Sequence, residues 1–353
     1  MKNILVSIIC FLSICVYSQN NDEVFNDEVI DDLNPQNFLL DFSKYNQKTA
    51  VYNAHLSNIV YENEDSIKSF IKALNSKYPN SRIEYNFISN TDTDTEILLF
   101  CTKKFMIISF RGTAGGKDLI TDSKFFLYSN RKDTINSNRY KHIPSGHGGF
   151  RKSLSSVIEE NQLFKKIDIL IKKQNNKSVN TFPIYLTGHS LGAALASMFI
   201  NPLKANNYNF KGCYNFAPPL AISNYEAILM KSDPSIYGVT YDIVNNSDYI
   251  TRFTRYCRKN MQHIGKFHRI CYDYDDKNYL VPKIQREDET FFQYKFHEQF
   301  SFSSLFDKFH RIKYYISAVK HELNSSDKVL ERDISDQGHG CSCLKPKNCN
   351  MDN

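Results

Sequence analysis

The chain has 353 residues, with 44 Lys and Arg against 38 Asp and Glu, a formal charge of +6. Hydrophobic residues make up 41% and charged residues 23%, a balance that excludes a disordered polyelectrolyte and a collagen-like repeat. Trp is absent, but 26 Phe and 22 Tyr supply bulky core filler. The mild basic excess shows none of the Lys/Arg clustering that marks a nucleic-acid footprint, so no nucleic-acid partner is expected.

The N-terminus reads as an export signal over residues 1–18. Lys2 gives the positive start, and Ile4 to Val16 is a 13-residue apolar run, too short for an ordinary transmembrane helix. A cut before Gln19 follows, which points to a secreted or secretory-lumen protein, periplasmic or extracellular if bacterial. Cys10 and Cys15 would leave with the signal, so an odd seven of the nine cysteines remain. Cys257 and Cys271 bracket a polar loop as a candidate disulfide, whereas Cys101 and Cys213 sit in apolar runs and read as buried thiols. His339, Cys341, Cys343 and Cys349 cluster without the spacing of a closed zinc site, so no metal is expected.

Residues 19–41 are acidic and polar and read as a loose arm. A folded domain is expected over 42–324, followed by a Cys-containing tail at 325–353. Within the domain, Phe42 to Tyr61 and Ser66 to Leu74 have helical apolar spacing. Glu96 to Cys101 and Phe105 to Phe110 read as buried strands joined by a short turn. Residues 129–146 are polar and read as a loop. Leu154, Val157, Ile158, Phe164, Ile167 and Ile171 recur at helical spacing. Pro183 to Thr187 reads as a strand, Leu191 to Ile200 as a buried helix, Gly212 to Phe216 and Tyr237 to Val244 as strands, and Phe302 to Leu323 as an amphipathic helix. Strands alternate with helices through 94–250, the sign of an α/β domain with a largely parallel sheet.

The most informative window is Gly188-His189-Ser190-Leu191-Gly192, a G-x-S-x-G pentapeptide between an apolar strand and a small-residue helix. This chemistry needs a sharp strand-to-helix turn with serine at its apex in a strained conformation. Gly188 and Gly192 lack Cβ atoms and let strand and helix approach. The opening N–H groups of the helix then face a developing oxyanion.

With its flanks, this window resembles the class 3 (fungal-type) lipase family of the α/β-hydrolase superfamily. Ser109-Phe-Arg-Gly-Thr113 with Asp118 to Asp122 is similar to the family's FRGT…DWLTD. His147 to Phe150 is similar to its H-x-GF, and Thr187 to Ala196 to its nucleophile motif. Phe216-Ala-Pro-Pro219 and Ile243 to Asp248 resemble its FAPP and catalytic-acid segments. Phe306 to Tyr315 resembles its late D-x-H-x-x-Y segment. The likeness spans about residues 45 to 320 and implies an α/β-hydrolase fold, a mostly parallel central sheet with helices on both faces.

By that resemblance, Ser190 is the nucleophile, Asp248 the acid and His310 the base, with Leu191 and Thr113 as oxyanion donors. His263 and His268 stay open as alternative bases, and Asp242 as an alternative acid. Arg111 and His147 are expected to hold the oxyanion loop by hydrogen bonds. Ala114 to Lys117 and the loop 129–146 are candidate lid or rim elements. Two departures, Leu119 for the family's Trp and Ile250 or Thr251 for its Pro, bear on substrate shape. The implied activity is acylglycerol ester hydrolysis through an acyl-enzyme at a lipid interface, with no cofactor. A phospholipase A1, a diacylglycerol lipase, an acyltransferase or an inactive lipid-binding homologue are the alternatives. Composition leaves the oligomeric state open.

Overall fold

A computed structural model describes residues 25–112, 142–175, 178–245, 248, 251, 260–274, 280–285 and 310–325. The signal at 1–18, Thr113, Asp118, Asp122, Ala114 to Lys117, most of the loop 129–146, Cys257 and the tail beyond 325 lie outside the described residues.

The strands are β1 (Glu84–Asn90), β2 (Thr95–Cys101), β3 (Met106–Phe110), β4 (Ile184–His189), β5 (Phe210–Phe216), β6 (Ile222–Ser223), β7 (Thr240–Asn245), β8 (Met261–Gln262), β9 (Lys266–Tyr274) and β10 (Leu280–Gln285). Among the described residues they form an eight-stranded sheet in the order β1-β2-β3-β4-β5-β7-β9-β10, with β6 and β8 paired separately. From β3 through β4, β5 and β7 to β9 the strands run parallel. Antiparallel neighbours close both edges. Parallel strands covered on both faces need continuous apolar runs, and β3 (MIISF) and β4 (IYLTGH) are buried at every position.

The helices of six or more residues among those described are α1 (Asp27–Asp32), α2 (Gln47–Ile59), α3 (Glu64–Lys77), α4 (Gly148–Glu159), α5 (Leu163–Asn175), α6 (Leu191–Ala205), α7 (Asn224–Ser232) and α8 (Ile312–Ser325). Alternation along the strands divides the core in two. Ile97, Leu99 and Cys101 of β2 face a cluster with Phe150 and Leu154 of α4, Ile167 of α5 and Phe199 of α6. Leu98 and Phe100 face the opposite cluster, built from α1, α2, α3 and α8. Helices therefore cover both faces, and the fold is of α/β-hydrolase type. Cys101 and Cys213 are free buried thiols, with burial pushing both upward in pKa. No helix among the described residues is long and apolar enough to cross a membrane.

Sequence and structure part company at the N-terminal segment. The described part of the polar arm, from residue 25, belongs to the core, with Leu33 fully buried and Val29, Ile30 and Phe38 packed beside it. Three or four apolar side chains at helical spacing are easily masked by the acidic residues between them. Strand tyrosines also tie this segment down: Tyr185 O–H donates to the Leu40 carbonyl (2.6 Å) and Tyr241 O–H to that of Phe42 (3.1 Å). Helix α2 starts at Gln47 rather than Phe42, because the Asn46 side chain accepts from Thr49 N–H and caps it there. β1 has a mixed, half-buried pattern suited to an edge strand and no apolar run to announce it. α8 is described from Ile312; the earlier part of the expected helix, 302–309, lies outside the described residues.

Helix α8 is fastened to the N-terminal helices by a charged clamp. Lys320 Nζ lies 2.6 Å from Asp32 and 2.5 Å from Glu28, and His55 Nε2 lies 2.9 Å from Asp32. Burial alone would push Asp32 up, but hydrogen bonds from His55 and Lys320 outweigh it and hold the carboxyl below its ordinary value. Burial likewise opposes the charge on Lys320, and its bonds to Asp32 and Glu28 raise it overall. A depressed carboxylate stabilises the fold above its unfolded pKa and loses that contribution as pH falls through the folded one. A raised lysine contributes below its unfolded pKa and loses it as pH climbs past the folded one. The Asp32–Lys320 pair is therefore fully charged between about pH 4 and pH 10. Asp32→Asn is expected to lower stability by about 1–3 kcal/mol near pH 7, a gap that narrows toward pH 3. Urea midpoints at both pH values test this; an unchanging gap would contradict it.

Candidate active site

The site is built where β4 meets α6. β4 ends at His189 and α6 begins at Leu191, so Ser190 makes the whole turn, at φ 56° and ψ −126°. A non-glycine residue with positive φ is strained and persists only where its surroundings hold it. Here Ser190 N–H donates to the Phe216 carbonyl at the end of β5 (2.9 Å). The two glycines explain how the turn packs. A Cβ on Gly188 would fall 2.5 Å from the backbone of Gly192, and one on Gly192 only 2.0 Å from the Phe110 carbonyl oxygen of β3. Both close approaches run through backbone, which cannot swing aside as a side chain can.

Serine is a favoured N-cap, yet Ser190 makes no side-chain cap bond to α6. Its Oγ–H is directed instead at His310 Nε2 (2.7 Å). On the other side of that ring, His310 Nδ1–H donates to Asp248 Oδ2 (2.8 Å). The carboxylate only accepts, which sets the tautomer: proton on Nδ1, lone pair on Nε2 facing the serine. Asp248 stands just past the C-terminal end of β7 and its side chain is 1% exposed. Tyr315 of α8 donates its O–H to the same Oδ2 (2.8 Å) and accepts from Asn245 N–H (3.1 Å). Helix α8 therefore supplies the hydroxyl that fixes the carboxylate, and the residues just before it supply the imidazole. Only 6% of Ser190 is exposed.

The alternatives lie elsewhere. His268 is 2% exposed on β9 and stacks on Tyr45 with ring centres 3.8 Å apart. His263 Nδ1 is 3.8 Å from Asp242 Oδ2. Asp242 accepts from Asn215 Nδ2 (2.8 Å) and Gly265 N–H (2.9 Å) in a separate buried network. Leu191 opens α6, so its own N–H has no intrahelical acceptor. Thr113, the other expected donor, is outside the described residues, but Gly112 beside it lies against the turn: a Cβ there would come 3.2 Å from Ser190 Cβ. Arg111 pairs with Glu96 and sits over the Tyr61 ring, 5.8 Å from its centre. His147 caps α4, its side chain accepting from Phe150 N–H. Sequence reasoning missed Tyr315, whose role becomes visible only when α8 docks over β7.

A serine beyond β4, a carboxylate beyond β7 and an imidazole ahead of α8 are linked by hydrogen bonds, an arrangement able to support nucleophilic catalysis. The family model for class 3 lipases, described as Lipase (class 3), matches residues 107–257, from β3 past the nucleophile turn and Asp248. Over that segment the chain is similar to class 3 lipases. His310 lies beyond the matched segment. No curated protein sequence matches the chain. Similar solved structures include lipase II from Rhizopus niveus, at 18% identity and TM-score 0.49, covering 69% of this chain and 87% of that one. A Rhizomucor miehei lipase in a propeptide complex aligns at 19% identity and TM-score 0.47, covering 69% of this chain and 72% of that one. A nonglycosylated Yarrowia lipolytica lipase aligns at 19% identity and TM-score 0.46, covering 69% and 87%.

Proposed function

We propose that this chain is a secreted, serine-dependent lipase that hydrolyses carboxylic esters of acylglycerols through an acyl-enzyme. One observation carries the reading: the unbroken hydrogen-bonded line from Ser190 Oγ through both nitrogens of His310 to Asp248. As Oγ attacks an ester carbonyl, His310 Nε2 takes its proton. Asp248, held by Tyr315, keeps the ring oriented and stabilises the imidazolium. The tetrahedral oxyanion forms against Leu191 N–H and, by the family resemblance, Thr113. The alcohol leaves with the proton from His310. Water, deprotonated by the same nitrogen, then releases the fatty acid. Export rests on the signal read over residues 1–18.

A lipid panel tests the substrate class. Purified full chain is incubated with triacylglycerol, diacylglycerol and phosphatidylcholine emulsions, and products are read by mass. Fatty acid from the acylglycerols is the expected result, with a rise in rate as a soluble ester passes its solubility limit, since Ser190 is nearly enclosed. Release from phosphatidylcholine alone would make it a phospholipase A1. Acyl transfer to an added alcohol in place of free acid would make it an acyltransferase. No product from any lipid would leave a binding protein.

A further inference from the structure

The residue before the serine uses both nitrogens of its ring. Tyr61 O–H donates to His189 Nδ1 (2.8 Å), and His189 Nε2–H donates to the backbone carbonyl of His310 (2.6 Å). The Tyr61 hydroxyl in turn accepts from Gly112 N–H. Gly112 is enclosed at this junction: a Cβ there would fall 2.2 Å from the Tyr61 hydroxyl and 2.5 Å from the His189 carbonyl oxygen. Three segments distant in sequence thus meet at one point: the end of α2, the chain leaving β3, and the nucleophile turn.

Burial, followed by the repulsion His310 would exert when protonated, pushes His189 well below the ordinary histidine range, and burial pushes Tyr61 upward. Both groups are therefore neutral. A neutral imidazole has one donor and one acceptor. A carbonyl can only accept, so the proton must sit on Nε2, and Tyr61 must donate to Nδ1. The Arg111 guanidinium over the tyrosine ring and its ion pair with Glu96 hold that ring in place.

We infer that His189 is a positioning residue. Held by Tyr61 in its Nε2–H form, it fixes the main chain of His310, and so the point from which the base reaches Ser190. Through Tyr61 it ties that setting to Gly112, the neighbour of the expected oxyanion donor Thr113. Asp248 orients the His310 ring at one nitrogen but leaves the origin of the side chain free to shift. The bond to the carbonyl removes that freedom. The inference rests on reading Ser190 and His310 as nucleophile and base.

The test compares wild type with His189→Ala, His189→Gln, Tyr61→Phe and Ser190→Ala. For each, kcat and KM on a soluble nitrophenyl ester, the rate of fluorophosphonate labelling and the melting temperature are measured. Small misplacement of a reacting group is costly, so His189→Ala is expected to lower kcat about 10- to 100-fold with KM within about twofold. Glutamine offers an amide N–H and an amide oxygen to the same two partners, and should return kcat to within about fivefold of wild type. Tyr61→Phe removes the lock on the tautomer and should cost about tenfold in kcat. Labelling rates should fall in parallel. A purely structural role would move the melting temperature and leave kcat and labelling at wild-type values. Wild-type kcat in His189→Ala and Tyr61→Phe, with Ser190→Ala inactive, overturns the inference. So does a His189→Gln enzyme as slow as His189→Ala. Should His189→Ala fail to fold, Tyr61→Phe and His189→Gln decide by the same readings. Activity persisting in Ser190→Ala would instead remove the nucleophile assignment beneath it.

Discussion

Ser190→Ala is expected to abolish ester hydrolysis, with kcat falling about 10⁶-fold, the scale found when a nucleophile of this kind is removed from an intact site. The remaining groups cannot substitute for it. His310 Nε2 is 2.7 Å from the serine oxygen, and with that oxygen gone it can only activate water from a geometry built for Oγ. The substitution is mild for the fold. Alanine at φ 56° carries the same backbone strain as serine, and Ser190 makes no cap bond that α6 would lose. Melting temperature should therefore stay near wild type while turnover and covalent labelling by a fluorophosphonate both vanish. Labelling at the wild-type rate in this variant would refute Ser190 as the nucleophile.

Asp248→Asn should be nearly as damaging, at about 10⁴-fold in kcat, although it changes neither size nor shape. The carboxylate oxygen Oδ2 accepts from two donors at once, His310 Nδ1–H and Tyr315 O–H, each at 2.8 Å. An amide oxygen in that place could accept from both but carries no charge to stabilise the imidazolium, and an amide turned the other way presents NH₂ to Nδ1. The favourable escape is for His310 to move its proton to Nε2 and accept from the amide at Nδ1. That tautomer has no lone pair for the serine proton. Asp242→Asn serves as the contrast. Asp242 is also a buried aspartate on β7, but its partners are Asn215, Gly265 and His263. It should lower stability and leave kcat close to wild type. Equal losses of kcat in the two variants would contradict a specific role for Asp248.

Local patterns in the chain foretell the strand-to-helix turn at Ser190. An apolar strand, the Gly188-His-Ser-Leu-Gly192 window and a run of small residues form one continuous signal, because the turn is made within a few residues. The central strands are equally legible, since burial on both faces forces unbroken apolar runs such as Met106 to Phe110. Elsewhere the signal thins. Edge strand β1 is half exposed and has no such run. The segment around α1 is acidic overall, yet the sheet's tyrosines and the Lys320 clamp draw it into the core. Six histidines follow Asp248, and only the family pattern singles out His310; neither spacing nor hydropathy separates it from His263 or His268.

The physical reason is the range over which each constraint acts. A strained serine between two glycines is a matter of backbone sterics among adjacent residues, so the amino-acid order alone specifies it. The imidazole hydrogen-bonded to that serine lies 120 residues away, and the carboxylate bonded to the imidazole 62 residues before it. Their meeting depends on α8 docking against α2 and over the end of β7, with Tyr315, Tyr61 and His189 filling the space between. Those contacts belong to packing, and only the folded chain decides them.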